Sequence, residues 1–139
     1  MPDITNDDKA LTALLSRKPR IAMVGASDNP ARDSNRVFLY MQRRGYTQVP
    51  VNPTVAAVAG VPTVPDLAAA AKLGPVDLVD VFRAPDQVGP IVDAAIAAKA
   101  KAIWFQLGVV NEAAIAKAVA AGLQVVVDRC IKIEDARLL

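Results

Sequence analysis

Hydrophobic positions along this chain fall into two alternating kinds of block. Short, nearly continuous apolar runs occur at residues 20–24, 47–51, 76–82, 102–106 and 123–127. Each has the form of a parallel strand buried on both faces. Between them lie longer stretches with helical spacing. Leu11, Leu14 and Leu15 share one helical face, and the preceding polar run TNDD supplies N-cap candidates, which predicts a helix over 7–17. A loop from Gly25 to Asp33 leads into a helix from Ser34, apolar at Val37, Tyr40 and Met41, that stops at Gly45. Asp66 can cap a helix over Leu67–Ala71, and Pro85 sits near the first turn of another that runs to about Lys99, with Gly89-Pro90 placed to tighten or kink it. Asn111 caps a helix over Glu112–Ala121 closed by Gly122. Residues 61–64 form a further short strand candidate, which Pro62 and Pro65 would confine to a sheet edge.

Strand and helix therefore alternate, and right-handed crossovers turn that alternation into one architecture. The expected fold is α/β, a doubly wound, mainly parallel sheet of five to six strands with helices on both faces. It is Rossmann-like, in the order 3-2-1-4-5-6, and the first and fourth predicted strands meet at the switch point. A length of 139 residues suits one domain. Residues 1–18 are expected to be an N-terminal helix packed on a domain of residues 19–139.

Composition sharpens this picture mainly by exclusion. The chain has no histidine, so it contains no Ser-His-Asp or Cys-His catalytic dyad, no His-ligated zinc and no phosphohistidine. One cysteine, Cys130, allows no internal disulfide and no CxxC metal knuckle, which points to the cytoplasm. No stretch has the length and apolarity of a membrane span or signal peptide. A net charge of +2 does not argue for nucleic acid, and a solvated helix face accounts for Arg43 and Arg44. At 53% hydrophobic and 4% aromatic, the core must be built from Val, Ile, Leu and Ala.

Ligands of doubly wound sheets lie beyond the carboxyl ends of the strands, and here those ends carry unusual residues. Gly25-Ala26-Ser27 follows the first strand, where a glycine lets a phosphate approach the backbone, a hydroxyl is at hand and a helix N-terminus comes next. The full GxGxxG fingerprint is missing, and a glycine turn can also be purely structural. At the end of the second strand, where an NAD site places Asp or Glu on the ribose, stands Asn52 followed by Pro53. Losing that negative charge disfavours NAD and tolerates a 3′-phosphorylated adenosine, which Arg36 or Arg32 could approach. Arg83 leaves an apolar strand for the crevice, to meet a phosphate or carboxylate or to pair internally with Asp80 or Asp128. Asp80 itself, on an otherwise apolar strand, is read as a structural partner rather than a base.

The blocks VGASDNPARDSNRVFLYMQRRGY, VPVNP, VDLVDVFRAPDQV, IWFQLGVVNE and VVVDRCIKIE, in this order and spacing, resemble the small stand-alone CoA-binding domain proteins over residues 19–137. That family is similar in fold to the CoA-binding domain of succinyl-CoA synthetase α subunits. The resemblance implies a ligand, coenzyme A or an acyl-CoA, and a non-catalytic carrier, sensor or regulatory module. It places Gly25, Ala26 and Ser27 at the pyrophosphate, Asn52 and Pro53 beside the adenosine, Phe82 and Arg83 along the channel, and Gln106 near the pantetheine amides. Cys130, beside Arg129, would stand near the thiol end, where a mixed disulfide can form. Ile131 departs from the family, which commonly has proline after the cysteine, and the segment from Pro53 to Gly60 is richer than usual in Ala and Val. The alternative is a nucleotide-dependent enzyme subunit: an acyl-CoA ligase fragment completed by another chain, or an NAD(P)-dependent oxidoreductase.

Overall fold

The computed structural model describes residues 3–139; the first two positions of the expected N-terminal segment lie outside the described residues. Seven strands form: β1 (Ile21–Val24), β2 (Gln48–Val51), β3 (Ala57–Val58), β4 (Val61–Pro62), β5 (Leu78–Val81), β6 (Ala102–Phe105) and β7 (Gln124–Val127). Six α-helices accompany them: α1 (Asp8–Ser16), α2 (Asp33–Arg43), α3 (Leu67–Leu73), α4 (Val88–Ala97), α5 (Glu112–Ala120) and α6 (Ile131–Leu138). The main sheet is wholly parallel, in the order β2-β1-β5-β6-β7.

Alternation along each strand sorts its side chains onto two faces. One face carries Ala22, Val79, Val81, Ile103, Phe105 and Val125, covered by buried residues of α3, α4 and α5. The other carries Ile21, Met23, Leu78, Trp104 and Val126, covered by α1, α2 and α6. The crossover from β1 to β2 uses one face and that from β2 to β5 the other, so the chain reverses between β1 and β5. A crevice must open there at the carboxyl ends of the strands. α1 buries Leu11, Leu14 and Leu15 in the same cluster as Phe38 and Trp104, and Tyr46 donates its hydroxyl to the Leu15 carbonyl at 3.2 Å. The preceding residues extend β7, with a bridge from Asp3 to Val125 and a bond from the Ile4 N–H to the Val125 carbonyl.

Three expectations change. Residues 61–64 do not form a sixth strand of the main sheet: β4 pairs antiparallel with β3, and only Val64 bridges in parallel to Val51. Pro62 and Pro65 leave too few free N–H groups for a ladder, and what remains caps the β2 edge. The expected helix from Pro85 starts as a 3₁₀ turn over Pro85–Gln87, and Pro90 falls in the first turn of α4, where its missing N–H breaks no helical bond. The last helix, α6, has no counterpart in the pattern reading. Its buried positions are Ile131, Glu134 and Asp135, two of them acidic, so hydrophobic periodicity does not reveal it.

Candidate functional site

At the carboxyl ends of β1, β5 and β6 the structure opens a cavity of about 860 Å³, in the size range of small-molecule sites. Its walls come from the β1–α2 loop, the N-terminus of α2, the ends of β5 and β6, and the start of α6. A smaller cavity of about 260 Å³ adjoins it on the β2 side, and Gly25, Asn52 and Arg83 line both.

Gly25 is required on two counts. Its φ of +83° lies in the left-handed region, and a Cβ there would collide with the carbonyl oxygen of Phe82 and stand 3.1 Å from Arg83 Cδ. The loop beyond is held by its own polar groups. The Ser27 hydroxyl oxygen accepts from the Asn29 N–H at 3.0 Å, Asn29 Oδ1 accepts from the Ala31 N–H, and Asn35 Nδ2 donates to the Ser27 carbonyl. The loop is therefore pre-shaped, which lowers the ordering cost of binding.

Of the residues singled out from the sequence, Gly25, Ser27, Arg36, Asn52, Phe82, Arg83 and Gln106 line the larger cavity, and Pro53 lines the smaller. Ala26 is fully buried, so only its backbone is left for a ligand, and its carbonyl accepts from Asn52 Nδ2 at 2.7 Å. Asn52 is mostly committed within the protein, since its Oδ1 also accepts from the Thr54 N–H and hydroxyl. Its main work is to tie the end of β2 to the glycine turn. Arg36 pairs with Asp33 one helical turn away. Arg83 pairs with neither Asp80 nor Asp128; it donates to Gln87 Oε1 at 2.8 Å, a neutral partner that leaves its charge uncompensated. Arg32 and Lys132 complete four cations around the larger cavity, against the single carboxylate of Asp33.

Helix ends add to this field. α1, α3 and α5 are capped by the side chains of Asp7, Asp66 and Asn111. α2, α4 and α6 begin at the two cavities without a side-chain cap. Uncapped N–H groups and the positive dipole end favour an anion in the crevice.

Two buried polar groups were not resolved by sequence reasoning. Asp80 is fully buried on β5 and accepts from Gln106 Nε2, while its Oδ2 has no partner. Burial pushes its carboxyl up to about 7, and the Gln106 hydrogen bond only partly opposes this. Below the ordinary carboxylate range both folded and unfolded chains are protonated; above it the unfolded chain loses its proton first, so stability falls as pH rises toward 7. Wild-type protein is thus expected to gain stability relative to Asp80→Asn as pH is lowered from about 8 to 5. Urea midpoints at matched pH check this, and parallel curves for the two proteins would refute it. The second group is Asp135 on α6, whose carboxylate accepts from Tyr46, Tyr40 and Arg44. Arg44 is therefore an ion-pair partner and not merely part of a solvated face. Both tyrosine hydroxyls are pushed above their ordinary range, by burial first and by the Asp135 bond next.

The profile of the CoA binding domain matches residues 19–136, most of the chain. The chain belongs to the CoA-binding domain family. This CoA-binding domain is 39% identical over 132 residues to the uncharacterized protein YneT of Bacillus subtilis, covering 94% of this chain and 96% of that one. It is similar to the solved structure of cell-free ID.343 from Thermus thermophilus, with 32% identity, a TM-score of 0.90, and coverage of 96% and 99%. At 24% identity and a TM-score of 0.66 it shares its fold with part of a dinucleotide-forming acetyl-coenzyme A synthetase of Ca. Korarchaeum cryptofilum, covering 77% of this chain and 25% of that one. The family supports CoA binding in general. No helix of the described residues is long and apolar enough to cross a membrane.

Proposed function

We propose that this CoA-binding domain holds coenzyme A or an acyl-CoA in the crevice between β1 and β5, as a non-catalytic carrier, sensor or regulatory module of the cytoplasm. The observation that carries the reading is the joining of an obligatory glycine turn, uncapped helix N-termini and four cations around one cavity. In this reading Gly25, Ala26 and Ser27 meet the pyrophosphate through backbone N–H groups and a hydroxyl. Arg36 exchanges Asp33 for a phosphate, while Asn52 and Pro53 border the adenosine. Phe82, Arg83 and Gln106 line the path of the pantetheine arm. Residues 19–139 form the binding unit and residues 1–18 its packed N-terminal helix.

Calorimetric titration with CoA, acetyl-CoA, NAD and NADP tests the ligand. Heat is expected with the CoA species and not with NAD; absence of heat and of a thermal shift with millimolar CoA would overturn the reading. Arg83→Ala is expected to weaken CoA binding by about tenfold to a hundredfold, the range for one lost charge-assisted hydrogen bond. It should leave the unfolding midpoint nearly unchanged, because Arg83 bonds only to Gln87 among the described side chains. An unaltered affinity would remove Arg83 from the site.

A further inference from the structure

Gln106, in the wall of the larger cavity, and Asp80 behind it form a two-residue unit. Gln106 is 4% exposed and lines the cavity, and its one side-chain hydrogen bond among the described residues runs from Nε2 to Asp80 Oδ1. Its carbonyl oxygen therefore lacks a protein partner. Behind it, Asp80 is fully enclosed with one carboxylate oxygen equally unpartnered. An ionised carboxylate only accepts, so it holds the amide with NH₂ inward and oxygen outward. A protonated carboxyl can also donate, so the turned-over amide, with its oxygen inward and its NH₂ facing the cavity, becomes allowed as well, and a carbonyl on the ligand selects it.

We propose that Gln106 is a ligand-reading group whose polarity is set by the proton on Asp80, and that closing the cavity with CoA draws a proton onto Asp80 and turns the Gln106 NH₂ toward a carbonyl of the ligand. The proposal rests on the CoA reading and adds to it a carbonyl-recognising subsite and a proton. Its direction follows from solvation. A ligand that fills the cavity removes water from the outer side of Gln106, so a charge on Asp80 behind it becomes costlier and the neutral form gains. The group then on offer is a donor, and the matching chemistry on a pantetheine arm is an amide or thioester carbonyl.

No other charge competes for this role. The in-register neighbours of Asp80 on the flanking strands are Met23 and Trp104. The ionisable groups brought by the elements over this face include Arg32, Asp33, Arg36, Cys130 and Lys132 at the cavity, Tyr40, Arg44 and Tyr46 held on Asp135, and Asp8, Arg129, Glu134 and Arg137 in separate ion pairs. None of them hydrogen-bonds or ion-pairs with Asp80. Desolvation and the Gln106 amide therefore govern its titration.

The test is CoA titration calorimetry at pH about 7 to 8 in two buffers of different ionisation heat, which counts protons taken up on binding. Wild-type protein is expected to take up a substantial fraction of a proton more than Asp80→Asn, which is permanently neutral and can itself donate to Gln106. Gln106→Met removes the one hydrogen bond that favours the Asp80 carboxylate, so Asp80 is already neutral before CoA arrives. This variant is expected to bind more weakly and to take up correspondingly less, and it carries the comparison should the Asn variant not fold. Protons taken up by the ligand's own phosphate cancel in the difference. Equal uptake by wild type and variants, with CoA bound, would overturn this inference alone. Absence of CoA binding by wild-type protein would overturn the CoA reading and this inference with it.

Discussion

Replacing Gly25 by alanine is expected to destabilise the fold by about 2–5 kcal/mol, the sum of a left-handed backbone cost and an overpacking cost, and to abolish CoA binding. Movement of the flexible Arg83 side chain would not relieve the clash, because the nearest contact of the new Cβ is the Phe82 backbone carbonyl just beyond the central strand β5. The Gly25 N–H also donates to the Val51 carbonyl at 3.2 Å, so relief by moving the turn would unpair the end of β2. Gly108 supplies the control. Its φ of +78° is similar, but nothing lies within 4 Å of the position a Cβ would take. Gly108→Ala is therefore expected to cost only about 1–2 kcal/mol, the backbone cost alone. Urea unfolding with an unchanged m-value measures both. Equal losses at the two glycines would show that the close approach of β1 and β5 is not what demands Gly25.

The second large effect is expected at Asp135→Ala, with a loss of about 1.5–3 kcal/mol, that of hydrogen bonds to a buried charged acceptor, since the charge left behind on Arg44 is 41% exposed. The carboxylate is fully buried and receives Tyr46, Tyr40 and Arg44, so its removal leaves the buried Tyr46 hydroxyl with only the Leu15 carbonyl. These bonds join α6 to α2 and to the residues leading into β2. α6 also brings Lys132 and Ile133 to the cavity, so a loosened α6 is expected to weaken CoA binding as well as stability. Thermal unfolding with and without CoA reads both. A loss below about 1 kcal/mol, the level of an exposed ion pair, would assign Asp135 a peripheral role.

Much of the crevice was legible because its requirements are local. A glycine after an apolar run, a hydroxyl two residues later and a helix start beyond them mark a strand–turn–helix junction at the carboxyl edge wherever the strand sits in the sheet. The strands' double-sided burial was equally plain in runs such as Ile21–Val24 and Leu78–Val81, where hydrophobicity does not alternate. The chemistry of Asp80 was only half visible. An acidic residue stands out inside an apolar strand, but its partner Gln106 is 26 residues away, across the β5–β6 pair. Arg83 shows the same division: its exit into the crevice followed from its place after β5, whereas its neutral partner Gln87 emerged only from the 3₁₀ turn between them.

By itself the sequence determined the five central strands, their parallel winding, the place of the reversal between β1 and β5 and, by resemblance, the CoA-binding family. The strands and their winding follow from short-range periodicity, turn chemistry and the handedness of crossovers, and the family from whole sequence blocks that resemble it in order and spacing. Only the tertiary structure decided that residues 57–62 form a hairpin, that α6 lines one side of the cavity, and that Asp80 and Asp135 find Gln106 and the Tyr40–Arg44–Tyr46 group. Those outcomes depend on which polar atoms are brought together after the apolar faces have packed. Burial makes such pairings obligatory, but no local pattern names the partner.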